Sequence, residues 1–191
     1  MIRKASQNDL ASIFELYQSL ALDRKKLSNT DYQTSVQTGG FLLGLENEND
    51  IKKLIDEACM FLVYEDEGEI LGYIIADHRD KYYDDEYKTW FDLEAKEKYY
   101  NSPQSMTLAT IGVKKDKNKK GIATSLLKEL QNILRKNNYK YFFSIVTIAP
   151  ITNIPSIVFH TKNGFQRIAM GRPRKLFDLD NYSAILFYKP I

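Results

Sequence analysis

Apolar positions along the chain follow two rhythms. Leu10, Ile13, Phe14 and Tyr17 are spaced by three and four, the stripe of an amphipathic helix, and Ser6 with Asp9 three residues on gives that helix a capped start. Ile51, Leu54 and Ile55 mark a second helix over Asp50 to Ala58. Ile122, Leu126, Leu127, Leu130, Ile133 and Leu134 mark a third, running from about Gly121 to Lys136. A fourth spans Asn153 to Lys162. Asn153 suits its N-cap, Pro155 its first turn, and Asn163-Gly164 its end. Between the helices lie short runs with strand character: Ile2 to Ala5, Met60 to Tyr64, Ile70 to Ala76, Met106 to Val113, Tyr139 to Ala149, Phe165 to Met170 and Ala184 to Lys189. Gly68 in the turn Glu65 to Glu69 joins two of these as a hairpin. The nearly continuous apolar run from Tyr139 predicts a strand buried on both faces. The order β-α-α-β-β-β-α-β-α-β-β predicts a mixed α/β layer architecture. Residues 28–48 are ambiguous, because Gly39, Gly40 and Gly44 loosen any helix there.

Composition narrows the class. The 191 residues, 43% hydrophobic, suffice for one domain with its own core and no staple. A lone cysteine, Cys59, excludes an internal disulfide framework and reads as a buried thiol beside Met60, Phe61 and Leu62. The chain turns polar after Lys4, and no run approaches the length of a membrane span, so the expectation is a cytoplasmic protein without a membrane partner. The formal net charge of +2 hides an uneven distribution. Residues 1–112 carry 12 basic against 21 acidic side chains, a net of −9, and residues 113–191 carry 15 against 4, a net of +11. Such asymmetry suggests partners of opposite sign, or one site built from both halves.

The chemistry concentrates between the strand ending at Val113 and the helix starting near Gly121. Five lysines lie in the seven residues Lys114 to Lys120. A helix N-terminus presents unpaired N–H groups and partial positive charge, a seat for phosphate. Gly121 and Ala123 are small enough for close approach. There is no GxxxxGK[ST] loop and no GxGxxG opening a dinucleotide fold. No stacking motif or recognition helix accompanies the lysines, so nucleic acid is not the expected partner.

At these residues the chain resembles the GNAT superfamily of N-acetyltransferases. The family's cofactor loop, Arg/Gln-x-x-Gly-x-Gly/Ala, corresponds to Asn118-Lys119-Lys120-Gly121-Ile122-Ala123, with Asn118 in place of Arg or Gln. A second pattern, Asn-x-x-Ala-x-x-Leu-Tyr-x-x-x-Gly-Phe, is matched at Asn153, Gly164 and Phe165, with Ser156, Phe159 and His160 as replacements. The resemblance implies a mixed, largely antiparallel six- to seven-stranded sheet flanked by helices. It implies one domain over 1–191, interrupted by an insertion at about 79–104. It also implies acetyl transfer from acetyl-CoA to a primary amine, without a metal. The pyrophosphate would sit on the N–H groups from Asn118, Lys119 and Lys120 through Gly121, Ile122, Ala123 and Thr124. Pantetheine would run beside Ile111, Gly112 and Val113, and Asn153 would reach the cofactor. A backbone N–H near Val113 would polarise the acetyl carbonyl.

His160 stands where the family often has a tyrosine acid. It is a candidate proton donor, or a packed histidine with satisfied nitrogens. No carboxylate lies on the strand Met106 to Val113 where some relatives have a glutamate base, which leaves His78 with Asp77, Glu86, Asp84 or a water chain. The segment Asp80 to Tyr100 holds seven acidic and seven aromatic residues. As a helix it would align Tyr83, Tyr87, Trp90, Phe91 and Glu94 as a wall for a cationic amine, with Glu86 among the attracting charges. An added packing helix or a homodimer contact are its other readings. A non-catalytic acyl-CoA-binding module and acetylation of a protein amine stay open as alternatives.

Overall fold

The expected order of helices and strands forms in a computed structural model that describes residues 1–44, 47–78, 88–117, 121–176 and 178–191, the side chain of Lys88 excepted. The elements are β1 (Ile2–Lys4), α1 (Leu10–Leu20), α2 (Thr30–Gly39), α3 (Glu48–Glu57), β2 (Met60–Asp66), β3 (Glu69–Asp77), β4 (Lys88–Trp90) and β5 (Ser105–Val113). They continue with α4 (Ile122–Lys136), β6 (Tyr141–Ala149), α5 (Ile154–Lys162), β7 (Gln166–Gly171), β8 (Arg174–Leu176) and β9 (Leu179–Pro190).

Local chemistry sets several boundaries. The Ser6 N–H and hydroxyl both donate to Asp9 Oδ2, at 2.8 and 2.9 Å. Arg3 grips the same carboxylate bidentately at 2.7 Å through both terminal nitrogens, and its Nε reaches Glu65 Oε2 at 2.7 Å. This ties β1 to β2 and to the entry of α1. Glu67 and Gly68 both have positive φ, 49° and 80°, as a two-residue hairpin turn between β2 and β3 requires.

Four expectations change. The ambiguous segment contains a helix, α2, capped by Asn29, whose side chain accepts from the Tyr32 N–H. The helix expected to carry Trp90 does not form there: Lys88–Trp90 is an edge strand paired with Ala169 to Gly171, and only Ala95–Tyr100 coils, as one wide turn. The sheet accordingly has nine strands among the described residues rather than six or seven, because β4 and β8 add to it. Cys59 is half-buried against the core rather than enclosed.

Strand order is β1-β2-β3-β5-β6-β9-β7-β4, with β8 on β9. Among the described residues every pairing between these strands is antiparallel except β5–β6. Side chains alternate between two packed faces. On β3, Leu71 and Ile74 meet α4 residues Leu126, Leu127 and Leu130, whereas Tyr73 and Ile75 meet Ile13, Leu16 and Ile51 of α1 and α3. Under β6, β7 and β9, the turn Ala95–Tyr100 supplies a third cover, with Tyr100 edge-on to Phe143 at 5.2 Å.

The parallel pair β5–β6 positions everything that follows. It is in register only from Ser105↔Tyr141 to Leu108↔Ser144. Beyond that point β5 stays with β3 through Val113, and β6 stays with β9 through Ala149. The two half-sheets therefore part, and the last five residues of β5 show a strand edge to the gap.

Gly112 lies on that edge under a crowded face. A Cβ there would stand 2.9 Å from Tyr73 Cε1 and 3.0 Å from Leu20 Cδ1. Gly112→Ala is expected to lower unfolding free energy by about 1–3 kcal/mol through overpacking. Gly39→Ala, with nothing within 4 Å of the added carbon, is the matched control and is expected to leave stability equal or raised. Urea denaturation of both variants checks the pair.

Candidate active site

Two cavities occupy the gap. The larger, about 540 Å³, lies between β5 residues Ile111, Gly112 and Val113 with Ala123 of α4 on one side, and Asn153, Pro155, Ser156 and Phe159 on the other. The smaller, about 200 Å³, reaches the vertex where the strands part and is lined by Leu108, Thr110, Ser144, Thr147, His160 and Tyr182 among others. Asn153 and Ser156 line both.

At the mouth of the larger cavity, Gly121 caps α4 with φ 77°, a left-handed conformation that glycine adopts without strain. The first intrahelical bond runs from the Ser125 N–H to the Gly121 carbonyl at 2.9 Å, so the N–H groups of Ile122, Ala123 and Thr124 have no acceptor within the helix. Nothing lies within 4 Å of where a Gly121 Cβ would stand. A left-handed cap, N–H groups without an acceptor inside the helix and an open strand edge suit an acyl-CoA: phosphate at the helix end, an extended amide-bearing arm along β5. The lysine loop is partly compensated, because Lys114 pairs with Glu69 and Lys117 with Asp116. Lys115 and Asp116 line the mouth itself.

Asn153 holds the opposite wall. Its Oδ1 accepts from the Ser156 N–H at 3.3 Å, and its Nδ2 donates to the Phe41 carbonyl at 2.7 Å. Phe41 belongs to a strap, residues 40–43, that follows α2. Leu42 bonds to the end of α1 in both directions: its N–H donates to Leu20, and its carbonyl accepts from Leu22, at 2.9 and 3.0 Å. Phe41 and Leu43 pack with Leu22, Val36, Ile151 and Leu179 in a small cluster over the open end of the gap.

His160 is 2% exposed, enclosed by the rings of Phe159, Phe165 and Phe187. Its Nδ1 lies 2.7 Å from the Ser156 carbonyl oxygen and its Nε2 2.9 Å from Ser144 Oγ. A carbonyl only accepts, so Nδ1 carries the proton and Nε2 accepts from the Ser144 hydroxyl. Burial pushes the imidazole pKa down to about 4, so the ring is neutral at neutral pH. It packs with both nitrogens satisfied and also faces the cavity.

The remaining expected residues fall in four groups. Ile111, Gly112, Val113, Ala123 and Asn153 converge on the larger cavity. Ile122 is buried in the α4-side core, and Thr124 is half-buried in the first turn. His78 and Trp90 are not brought to the site. His78 is exposed at the closed end of the sheet, beyond the Asp77↔Thr107 pair, with its ring 6.2 Å from Tyr139. Asp77 is fully buried beside it. Trp90 packs edge-on to Tyr100 at 5.0 Å, under the far half-sheet. Asn118, Lys119, Lys120, Tyr83, Asp84, Glu86 and Tyr87 lie outside the described residues.

Sequence reasoning missed Ser144, Ser156 and the strap. Ser144 did carry a signal: it is a lone hydroxyl in the apolar run Phe142 to Val146, and a buried polar group needs a partner. None of the described residues lining the smaller cavity is charged. Among the described residues no His, Cys, Asp or Glu group is arranged to hold a metal, and no helix is long and apolar enough to cross a membrane.

Comparisons with known proteins agree with this geometry. The family model described as acetyltransferase (GNAT) family matches residues 21–165. Among solved structures, the ribosomal-protein-S18-alanine N-acetyltransferase of Escherichia coli superposes with a TM-score of 0.66 at 16% identity, over 100% of this chain and 93% of that one. Ard1 from Thermoplasma volcanium gives 0.67 at 18% identity, over 100% and 97%. The PaiA N-acetyltransferase of Thermoplasma acidophilum, in complex with coenzyme A, gives 0.62 at 16%, over 100% and 98%. No curated protein sequence matches this chain.

The buried imidazole sets a pH window. Its folded pKa of about 4 lies below the ordinary 6.5, so the unfolded chain binds more protons between those values. Stability is expected to be fully present above about pH 6.5 and to fall by as much as about 3 kcal/mol as pH drops to 4. Asp9, held at about 2 by Arg3, contributes its loss only below 3.8. Urea titrations across pH 4–7 check this, and His160→Gln is expected to flatten that interval alone.

Proposed function

The chain belongs to the acetyltransferase (GNAT) family, and on that premise we propose that it transfers acetyl from acetyl-CoA directly to a primary amine presented in neutral form, with a small-molecule or peptide α-amine as the preferred acceptor. Acetyl-CoA supplies an activated acyl carbon whose thiolate leaves readily. Ile122, Ala123 and Thr124 offer their N–H groups to the phosphates, with Asn118, Lys119 and Lys120 continuing the loop. The freed edge at Ile111, Gly112 and Val113 orients the pantetheine arm and polarises the acetyl carbonyl, and Asn153 fixes the facing wall.

The uncharged lining of the smaller cavity carries the acceptor reading. An ammonium entering it would lose its hydration without a counter-charge among the described residues, which is costly. The acceptor must shed its proton before or on entry. An α-amine has a pKa of ~7.7–8.0 and a lysine side chain ~10.4, so at pH 7.5 about a third of the first is neutral against roughly 0.1% of the second. The Escherichia coli structural neighbour, a ribosomal-protein-S18-alanine N-acetyltransferase, supports the same class. The acidic and aromatic side chains of the segment at about 79–104, Tyr83, Tyr87 and Glu86 among them, would favour an acceptor that is cationic in solution before it sheds its proton. Trp90 supports that wall no further, since its ring is committed to Tyr100.

Calorimetry with acetyl-CoA, followed by turnover with matched peptides, tests the reading. Wild type is expected to bind acetyl-CoA. Gly121→Glu, which sets a negative charge and a side chain at φ 77°, is expected to weaken binding at least tenfold. At pH 7.5 a free α-amine is expected to exceed an Nα-blocked lysine in kcat/KM by about 250-fold, with the ratio narrowing towards about tenfold at pH 9.5. Equal rates for the two amines would overturn the acceptor class. Binding without turnover of any amine would favour the non-catalytic acyl-CoA-binding module.

A further inference from the structure

We propose that Ser144 is a catalytic residue of this site: its hydroxyl is the acceptor end of a directed hydrogen-bond chain through His160 and takes the proton released by the attacking amine. The proposal rests on the acetyl-transfer reading above and adds a residue and a direction to it.

The direction follows from one fixed group. The Ser156 carbonyl oxygen can only accept, and at 2.7 Å it claims the Nδ1 proton of His160. With Nδ1 protonated and the ring neutral, Nε2 has only a lone pair. Ser144 Oγ, 2.9 Å away, must donate its single proton there. Ser144 therefore shows only lone pairs to the cavity it lines. It sits at the vertex, in the last register pair before the strands part, at the inner end of the gap between them. A lone pair there suits an N–H donor. The hydroxyl, the base and the group orienting the base form the arrangement of an activated hydroxyl.

Nothing else described around the ring competes for this role. Among the described residues, the hydrogen-bond and ring partners of His160 are Ser144, Ser156 and the rings of Phe159, Phe165 and Phe187, none of them charged. The other titratable side chain on the smaller cavity is Tyr182, whose pKa burial pushes upward, so it stays protonated.

The proton balance closes on the dyad. As the N–C bond forms, Ser144 Oγ takes the amine proton and passes its own to His160 Nε2, while Nδ1–H stays on the Ser156 carbonyl. As the C–S bond breaks, His160 returns the proton through Ser144 to sulfur. One N–H and one C–S bond are exchanged for one N–C and one S–H bond, and both residues end as they began. The burial that holds the imidazole near 4 makes its charged form short-lived, which suits a relay rather than a store. His160 acts through Ser144 and is a positioning residue.

Two measurements test this. In the ligand-free protein, ¹⁵N NMR of the imidazole is expected to show the Nδ1–H form, with the Nε2 signal shifted by hydrogen-bond acceptance. Ser144→Ala is expected to move that Nε2 signal towards a free lone pair and leave Nδ1 protonated. In turnover, Ser144→Ala is expected to lower kcat at least tenfold with the KM for acetyl-CoA within twofold, and Ser144→Thr, which restores a hydroxyl, to recover most of the loss. An Nε2–H tautomer in wild type would reverse the chain and overturn the proposal. So would a Ser144→Ala enzyme with kcat above half of wild type, or one whose acetyl-CoA affinity falls together with its rate. Wild-type protein that binds acetyl-CoA but turns over no amine would remove the underlying reading, and with it the catalytic role, while the NMR signals still report the hydrogen-bond chain itself.

Discussion

The site depends on a pair of strands that stop bonding to each other. β5 and β6 are parallel neighbours for four residues and separate after Leu108 and Ser144. A buried strand edge left unpaired is costly, because each backbone N–H or C=O without a partner forfeits a hydrogen bond's worth of stability. The fold accepts this where an extended ligand can complete the ladder. Each strand tolerates it because its other edge stays paired across a single bulge, β5 with β3 and β6 with β9. The gap is thus a divergence between two intact half-sheets, held open from outside rather than by a weakness within either.

What holds it open is a set of contacts distant in sequence. Asn153 closes one side through Phe41, and Leu42 closes the other through Leu20 and Leu22. The strap between them is anchored at both ends by backbone carbonyls and covered by the cluster around Leu22, Val36 and Ile151. Gly72 and Gly112 let the walls approach. A Cβ at Gly72 would stand 3.0 Å from both the Gly112 carbonyl oxygen and Ile122 Cγ2, so α4 reaches β3 and β5 only because that carbon is missing. The helix end that would seat phosphate is placed by the same absence.

Much of this was legible in the sequence, and the illegible parts share a cause. Long periodic elements such as α4 and β6 declare themselves, because burying one face over many residues leaves a pattern. The Gly121 cap and the Asn153 cap were readable from local backbone chemistry. The splay was not. Ala109 to Val113 reads the same whether or not its outer edge is paired, since pairing is a property of backbone groups common to all residues. β4 and β8, three residues each, are too short to show alternation. The strap follows a helix with a mostly polar surface, and its fixed position comes from Asn153, more than a hundred residues away. His160 was legible as an alternative between packing and chemistry. In the structure the contacts that satisfy both nitrogens also fix which one faces Ser144.

The charge asymmetry also takes a narrower meaning. The +11 half contains α4, α5 and the lysine loop, but two of the loop's lysines are occupied by Glu69 and Asp116, so the positive field at the mouth is smaller than the count implies. Deeper in, charge disappears from the described lining altogether. That gradient has a chemical consequence. Phosphates can be held in a solvated, positive rim where their own hydration is only partly lost. On the proposed reading the reacting amine would sit where the described lining offers no counter-ion, and only its neutral form carries the lone pair that attacks. A carboxylate at the vertex would stabilise the unreactive ammonium and oppose the step it might be thought to assist. A neutral hydroxyl tied to a neutral imidazole avoids that conflict: it accepts a proton as the N–C bond forms and the nitrogen becomes acidic, and holds none before. An apolar vertex thus places the pH dependence of the reaction mainly on the acceptor's own pKa, and a depressed His160 is the form a base takes when it must not trap its substrate.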